Sequence, residues 1–216
     1  MSSDSSKIIA RGDSKIWISS DLHFGHKNIV QGNHSWGYRP FKDVQDMDDS
    51  IINNINSVVG VNDIFLILGD FCFGNAKDVV SYRRRILCQD VRLMMGNHDY
   101  PRVFEEVPEG TFTYLDYGYC GAPVYKFIEK DGHEVLGRAC LHHYPICSWE
   151  QLSKGLPLLH GHVHLDANNR LSSTRALDVG IEGSEYFPML VKDALAIANA
   201  QPVGPMDFTG RRDHHA

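Results

Sequence analysis

The sequence predicts an α/β protein built on a parallel sheet, and two observations carry that reading. Over about the first hundred residues, short apolar runs alternate with longer stretches of helical period, giving the order β-loop-α-β-α-β of stacked crossover units. The apolar runs also end on Gly, Asp, His and Asn, and in α/β sheets ligands collect at the carboxyl ends of the strands.

Each element has its own signal. Ile16 to Ser19 is the first strand, with Ser20-Asp21-Leu22-His23 at its end, followed by a loop from Phe24 to about Pro40. Val44, Met47, Ile51, Ile55 and Val58 recur at helical spacing and predict an amphipathic helix to about Val59, with Gly60 as its stop. Ile64 to Leu68 is a buried strand closed by Gly69-Asp70, and Asp78 to Leu87 a second helix. Val91 to Met95 is the next strand, and Gly96-Asn97-His98-Asp99 stands past its end. After Pro101 the chain becomes rich in Tyr, Phe, Thr and Gly. A turn at Lys130-Asp131-Gly132 separates Tyr125–Ile128 from Glu134–Leu141 as a hairpin. Strands at Pro157–His160 and Ala176–Val179 and a helix near Val191–Ala198 complete the regular elements.

The bulk properties narrow the class. With 216 residues, 43% of them apolar, one domain with a sizeable core is expected over 1–216, with loose termini at about 1–12 and 201–216. A net charge of −6 gives no global basic surface, which argues against non-specific nucleic-acid binding. Arg83-Arg84-Arg85 and Arg211-Arg212 read as a solvated helix face and a frayed tail. The five cysteines are odd in number and lack metal-site spacing, so reduced thiols are expected. No stretch is long enough to span a bilayer, and the expectation is a soluble cytoplasmic protein.

The chemistry sits in the strand-end blocks. Asp21-Leu22-His23 places a carboxylate and an imidazole two residues apart, on one side of an extended segment. Of His142 and His143, adjacent and therefore on opposite faces, only one can look into a site above the sheet. His162 and His164 beside Gly161 have the form of a metal clamp; a pair of exposed loop histidines is the alternative. His-x-His-x-Asp at 162–166 is also similar to the metallo-β-lactamase signature. That family has a histidine where this chain has Ala167, and it carries the block near the start of its domain.

Taken in order, D-x-H, G-D, G-N-H-D, H-x-P and G-H-x-H resemble the calcineurin-like metallophosphoesterase family across residues 20–164. The text around Ser20–Asn28, Arg39-Pro40-Phe41 and Leu68–Phe71 is similar to a compact phage and bacterial branch without a cap domain. The resemblance implies a four-layer α/β/β/α sandwich of two mixed sheets flanked by helices. It implies a first metal held by Asp21, His23, Asp70 and His164, and a second held by Asp70, Asn97, His143 and His162. His143 is chosen over His142 because the family histidine precedes x-Pro. His98 takes the place of the catalytic histidine, with Asp99 the carboxylate that orients it.

The expected cofactors are two divalent transition-metal ions among Mn, Fe, Co, Ni and Zn, with Mn favoured in vitro. Mixed N and O donors without thiolate disfavour Ca and Cu(I). Arg39, His26 and Asn28 are candidate substrate contacts; a surface role for Arg39 and a loop role for the other two are the alternatives. The expected reaction is metal-dependent hydrolysis of a small phosphoester in an open site, nucleotide-like or cyclic diesters first and monoesters next. A catalytically weak protein-binding scaffold of the same fold is the rival, and such scaffolds usually lose ligands that this chain keeps. The sequence leaves the oligomeric state open.

Overall fold

The computed structural model describes residues 7–31, 38–116, 123–168 and 174–203. Among these the chain runs β1 (Lys7–Ile9), β2 (Ile16–Ser19), α1 (Val44–Val58), β3 (Ile64–Ile67), α2 (Ala76–Arg85), β4 (Asp90–Met94), α3 (Pro101–Phe104), β5 (Tyr114–Asp116), β6 (Val124–Glu129), β7 (Glu134–Leu141), β8 (Leu158–His160), β9 (Ala176–Asp178), β10 (Met189–Leu190) and α4 (Val191–Asn199). They form two mixed five-stranded sheets flanked by helices. One sheet has the order β10-β2-β3-β4-β5, with β2 to β5 parallel and β10 antiparallel. The other has the order β1-β6-β7-β8-β9, parallel except at the β6–β7 hairpin.

Local sequence explains the placement. β3 reads Ile-Phe-Leu-Ile and is buried throughout, because a central strand covered on both faces needs apolar groups on both. Its Phe65 and Ile67 face Met47, Ile51 and Ile55 of α1, whose first turn is capped by Asp43 accepting from the Asp46 N–H at 2.9 Å. Its Leu66, with Ile16, Ile18 and Met94, packs instead against Phe127, Ala139, Leu141 and Leu159 of the second sheet and against Ala194 and Leu195 of α4. The two sheets therefore share one apolar core. The strand ends that carry the polar motifs emerge from its edge.

Some boundaries differ from the sequence expectation. α2 begins at Ala76 because Asn75 and Asp78 form a reciprocal capping box that draws the first turn forward. The N-terminus is not loose through residue 12. Lys7–Ile9 pairs parallel with β6, Ile8 is 3% exposed, and Ala10 donates to the Ile128 carbonyl at 2.9 Å. A three-residue strand with one inward side chain is too short for a period to register. Residues 1–6, and the expected tail from 204 onward, lie outside the described residues. β10 and the one-turn α3, two and four residues long, are too short to carry a periodic signal.

The edge strand gives a test. Ile8→Ala should open a cavity in the shared core and cost roughly 2–4 kcal/mol. Ile9→Ala, at a side chain 41% exposed, should cost little. Urea unfolding of both variants checks this; equal, small losses would mean that β1 is not part of the core.

Candidate metal centre

Five loops meet where the two sheets end. They follow β2, β3 and β4 in the first sheet and β7 and β8 in the second. Their backbone is unusual: Asp21, His23, Asp70, His162 and His164 all have φ between 52° and 75°. Asp, Asn and His enter this left-handed region more readily than most residues, yet each still costs on the order of 1 kcal/mol or more. Asp21 and His23 thus converge through two left-handed turns, not through the extended geometry that the sequence suggests. Packing is tight enough to demand glycine nearby. A Cβ on Gly161 would lie 2.0 Å from Ser20 Oγ, and one on Gly96 would lie 2.3 Å from Asp70 Oδ1.

The structure brings all seven expected ligands together. Asp21 Oδ1 is 3.6 Å from His164 Nε2 and 3.9 Å from His23 Nε2, and the two imidazole nitrogens are 3.1 Å apart. Asn97 Oδ1 is 2.8 Å from His143 Nε2 and 2.9 Å from His162 Nδ1. Asp70 Oδ2 stands between the groups, 3.6 Å from His23 Nε2 and 3.5 Å from His143 Nε2. His142 is turned away, its Nδ1 against the backbone of Tyr144.

The donor set suits divalent cations on this geometry. Each carboxylate gives one oxygen to the backbone: Asp21 Oδ2 accepts from the His162 N–H at 2.9 Å, and Asp70 Oδ1 from the His98 N–H at 2.8 Å. The other oxygen of Asp21 is buried with no hydrogen-bond partner. His143 Nδ1–H donates to the Leu68 carbonyl at 2.7 Å, which leaves a bare lone pair on Nε2 facing Asn97 Oδ1. A cation beside this pair would use both lone pairs.

Burial sets the charges. It pushes the Asp21 carboxyl up to about 8, against the lowering influence of His164. It holds His23 well below its ordinary value, with Arg39 and neighbouring imidazoles adding to the effect. It lowers His143 and His162 as well. Neutral imidazoles are the form that binds a metal.

Two expected roles are corrected. Asp99 does not orient His98. Its carboxylate is 2% exposed and accepts from the backbone N–H groups of Asp70 (2.7 Å), Phe71 (2.9 Å) and Gly96 (2.9 Å). It braces the loops after β3 and β4, while His98 Nδ1 is buried without a partner. Arg39 is neither a surface residue nor open to substrate, being 0% exposed. Its guanidinium donates to Glu182 Oε1 through Nε (2.9 Å) and Nη2 (2.6 Å), and to the carbonyls of Asp21 (2.6 Å) and Leu22 (2.9 Å).

Glu182 is the residue that the sequence did not reveal. It lies in a short turn, Ile181–Ser184, and accepts from His164 Nδ1 at 2.8 Å. Burial raises its carboxyl, but Arg39 and His164 outweigh this and bring it down to about 2. Of the remaining candidates, His26 is half-buried with its ring 3.9 Å from that of Phe73, and Asn28 is half-buried in the turn Lys27–Ile29.

Comparisons with known proteins show the family and the fold. The sequence model of the calcineurin-like phosphoesterase family matches residues 14–208. Gene 66 protein of Mycobacterium phage D29 is 27% identical over 194 residues, covering 82% of this chain and 92% of the phage protein. An uncharacterized protein of Methanocaldococcus jannaschii is 28% identical over 180 residues, covering 81% of this chain and 86% of its own length. The crystal structure of a protein of unknown function from Aquifex aeolicus shares the fold, with a TM-score of 0.56 and 23% identity over 86% of this chain and 100% of that one.

The charge pattern gives a pH test. Without metal, burial raises Asp21 and Asp99, to about 8 and about 7. Burial alone would lower His164, but the Glu182 hydrogen bond and the charges of Glu182 and Asp21 raise it. These groups keep protons that the unfolded chain has released, so stability falls as pH rises through their folded values. The lowered imidazoles act in the opposite sense, and only below their ordinary value of 6.5. The Tm of chelator-stripped protein should therefore drop by about several degrees between pH 6.5 and 8.5, and added Mn should abolish the drop. A level or rising metal-free Tm would contradict the pattern.

Proposed function

The chain belongs to the calcineurin-like phosphoesterase family, and from that premise we propose that it hydrolyses a phosphoester with two divalent cations sharing Asp70. The observation that carries this reading is the position of Asp70 Oδ2, nearly equidistant from His23 Nε2 at 3.6 Å and His143 Nε2 at 3.5 Å. Asp21, His23 and His164 would complete one site, and Asn97, His143 and His162 the other. Cations so held supply Lewis-acid polarisation of a phosphoryl oxygen and a water nucleophile at neutral pH. The absence of thiolate donors suits Mn, Fe, Co, Ni or Zn, and Mn is the ion to try first.

The protein's own groups set direction and specificity. Asp21, His23, Asp70 and His143 are buried, whereas Asn97, His98 and His162 are half-buried, so substrate approaches from the latter side. His98 is the group on that side that no metal role consumes; protonated, it would donate to the departing oxygen. Aromatic rings border both ends of the donor set. Phe73, half-buried, lies 4.7 Å from the His98 ring and 5.4 Å from His23. Tyr144, 41% exposed, lies 4.5 Å from His162 and 5.1 Å from His143. Such rings stack on flat bases. They support a nucleotide-like diester as the preferred substrate, with monoesters second. The thiols of Cys72, Cys88 and Cys140 are buried and in no disulfide, which supports a reducing compartment. No helix among the described residues is long and apolar enough to cross a membrane.

Two experiments test this reading. Elemental analysis of the loaded protein should give two transition-metal ions per chain. Asp70→Asn should cost more metal and more turnover of bis-p-nitrophenyl phosphate than any terminal ligand change. One ion per chain, with Asp70→Asn unaffected, would defeat the two-cation reading.

His98→Ala should keep both metals and lose about 10²–10⁴-fold in kcat on alkyl esters, the usual worth of positioned proton transfer. The loss should be clearly smaller on p-nitrophenyl esters, whose leaving group needs little help. Equal losses would point to oxyanion stabilisation, and lost metal would make His98 a ligand.

A further inference from the structure

The Arg39–Glu182 pair ties together the segments that carry Asp21, His164 and Glu182. Arg39 is fully buried, and its donors divide between the Glu182 carboxylate and the peptide carbonyls of Asp21 and Leu22. Those carbonyls flank the left-handed bend that presents Asp21 and His23, with φ of 58° and 54°. Glu182 Oε1 in turn takes His164 Nδ1 at 2.8 Å, with the Tyr38 hydroxyl 2.7 Å from the same nitrogen. A carboxylate can only accept, so the neutral His164 ring carries its proton on Nδ1 and turns its Nε2 lone pair toward Asp21 Oδ1 at 3.6 Å and His23 Nε2 at 3.1 Å. The Glu182 turn is itself fastened to the same region, since the Ile181 N–H donates to the Ser20 carbonyl at 3.1 Å.

We infer that the buried Arg39–Glu182 pair is the positioning element of the first metal site, fixing the tautomer of His164 and the bend at Asp21–His23 without touching cation or substrate. At the second site the buried carboxylate of Asp99 braces the backbone of the loops but reaches no imidazole. There His143 is oriented by the Leu68 carbonyl, a backbone group. The pair therefore acts on one of two adjacent sites. Outer partners of metal-binding histidines commonly change affinity by about 10–100-fold, and that is the size of effect expected here. The inference rests on the two-cation reading proposed above.

The test is titration of the metal-free protein with Co²⁺, followed by its visible absorption. Removing Glu182 alone would strand a buried guanidinium, so the informative variant is Arg39→Met with Glu182→Leu, which replaces both charges by apolar groups. A folded double variant should bind its second-site Co²⁺ as the wild type does and its first about 10–100-fold more weakly. Ring ¹⁵N shifts of metal-free protein, recorded at a pH high enough to leave His164 neutral, should show one tautomer in the wild type and a mixture in the variant. Wild-type affinity at both sites, equal loss at both, or an unchanged tautomer would overturn the inference. If the double variant does not fold, Glu182→Gln carries the same comparison, with about tenfold weakening expected at the first site alone and none overturning the inference. A wild type that takes fewer than two Co²⁺ would instead contradict the two-cation reading.

Discussion

The centre depends on the two oxygens of Asp70 doing different work. Oδ1 is tied to the His98 N–H and so to the loop after β4, while Oδ2 is left to face His23 on one side and His143 on the other. That division requires the residue to sit in a left-handed turn directly after a buried strand. Asp99 holds it there from beneath by accepting from the N–H groups of Asp70 and Phe71 and, across the gap, of Gly96. Burying a carboxylate is costly, and Asp99 is pushed up to about 7 by it. Charge-assisted bonds to three backbone amides offset the cost and lock two loops into one frame.

The same logic extends outward. The five left-handed Asp and His residues of the site form a reservoir of strain that a soft scaffold would relax. Here the supports are rigid: α1 and α2 pack on the outer face of the first sheet, and its inner face shares a core with the second sheet. Metal would repay part of this strain. Burial raises the carboxyls of Asp21 and Asp99, and the charge of Asp70 adds to the rise at both. Divalent charge between Asp21 and Asp70 reverses that sign.

The candidate ligands were legible because each stands just past an apolar run, and short runs of that kind survive as strands almost residue for residue. The residues alone left His142 and His143 open, and it was the family resemblance that favoured His143, the one that the structure turns toward Asn97. What the sequence hid is instructive. Glu182 meets Arg39 across 143 residues and stands in an ordinary Ile-Glu-Gly-Ser turn, so no local pattern marks it. Without that partner Arg39 read as a surface or substrate group. Asp99 next to His98 suggested a side-chain pair, whereas the carboxylate turns inward to amides that only the fold assembles. Asp21 and His23 were expected to converge by strand alternation and do so by two left-handed turns. β1 went unseen because a single inward isoleucine carries no period.

The most direct measurement of the central claim is anomalous diffraction from crystals soaked in Mn²⁺. The account predicts two peaks per chain. One should be bounded by Asp21, His23 and His164, the other by Asn97, His143 and His162, and Asp70 Oδ2 should contact both. A single peak, or two peaks with Asp70 bound to only one, would contradict it.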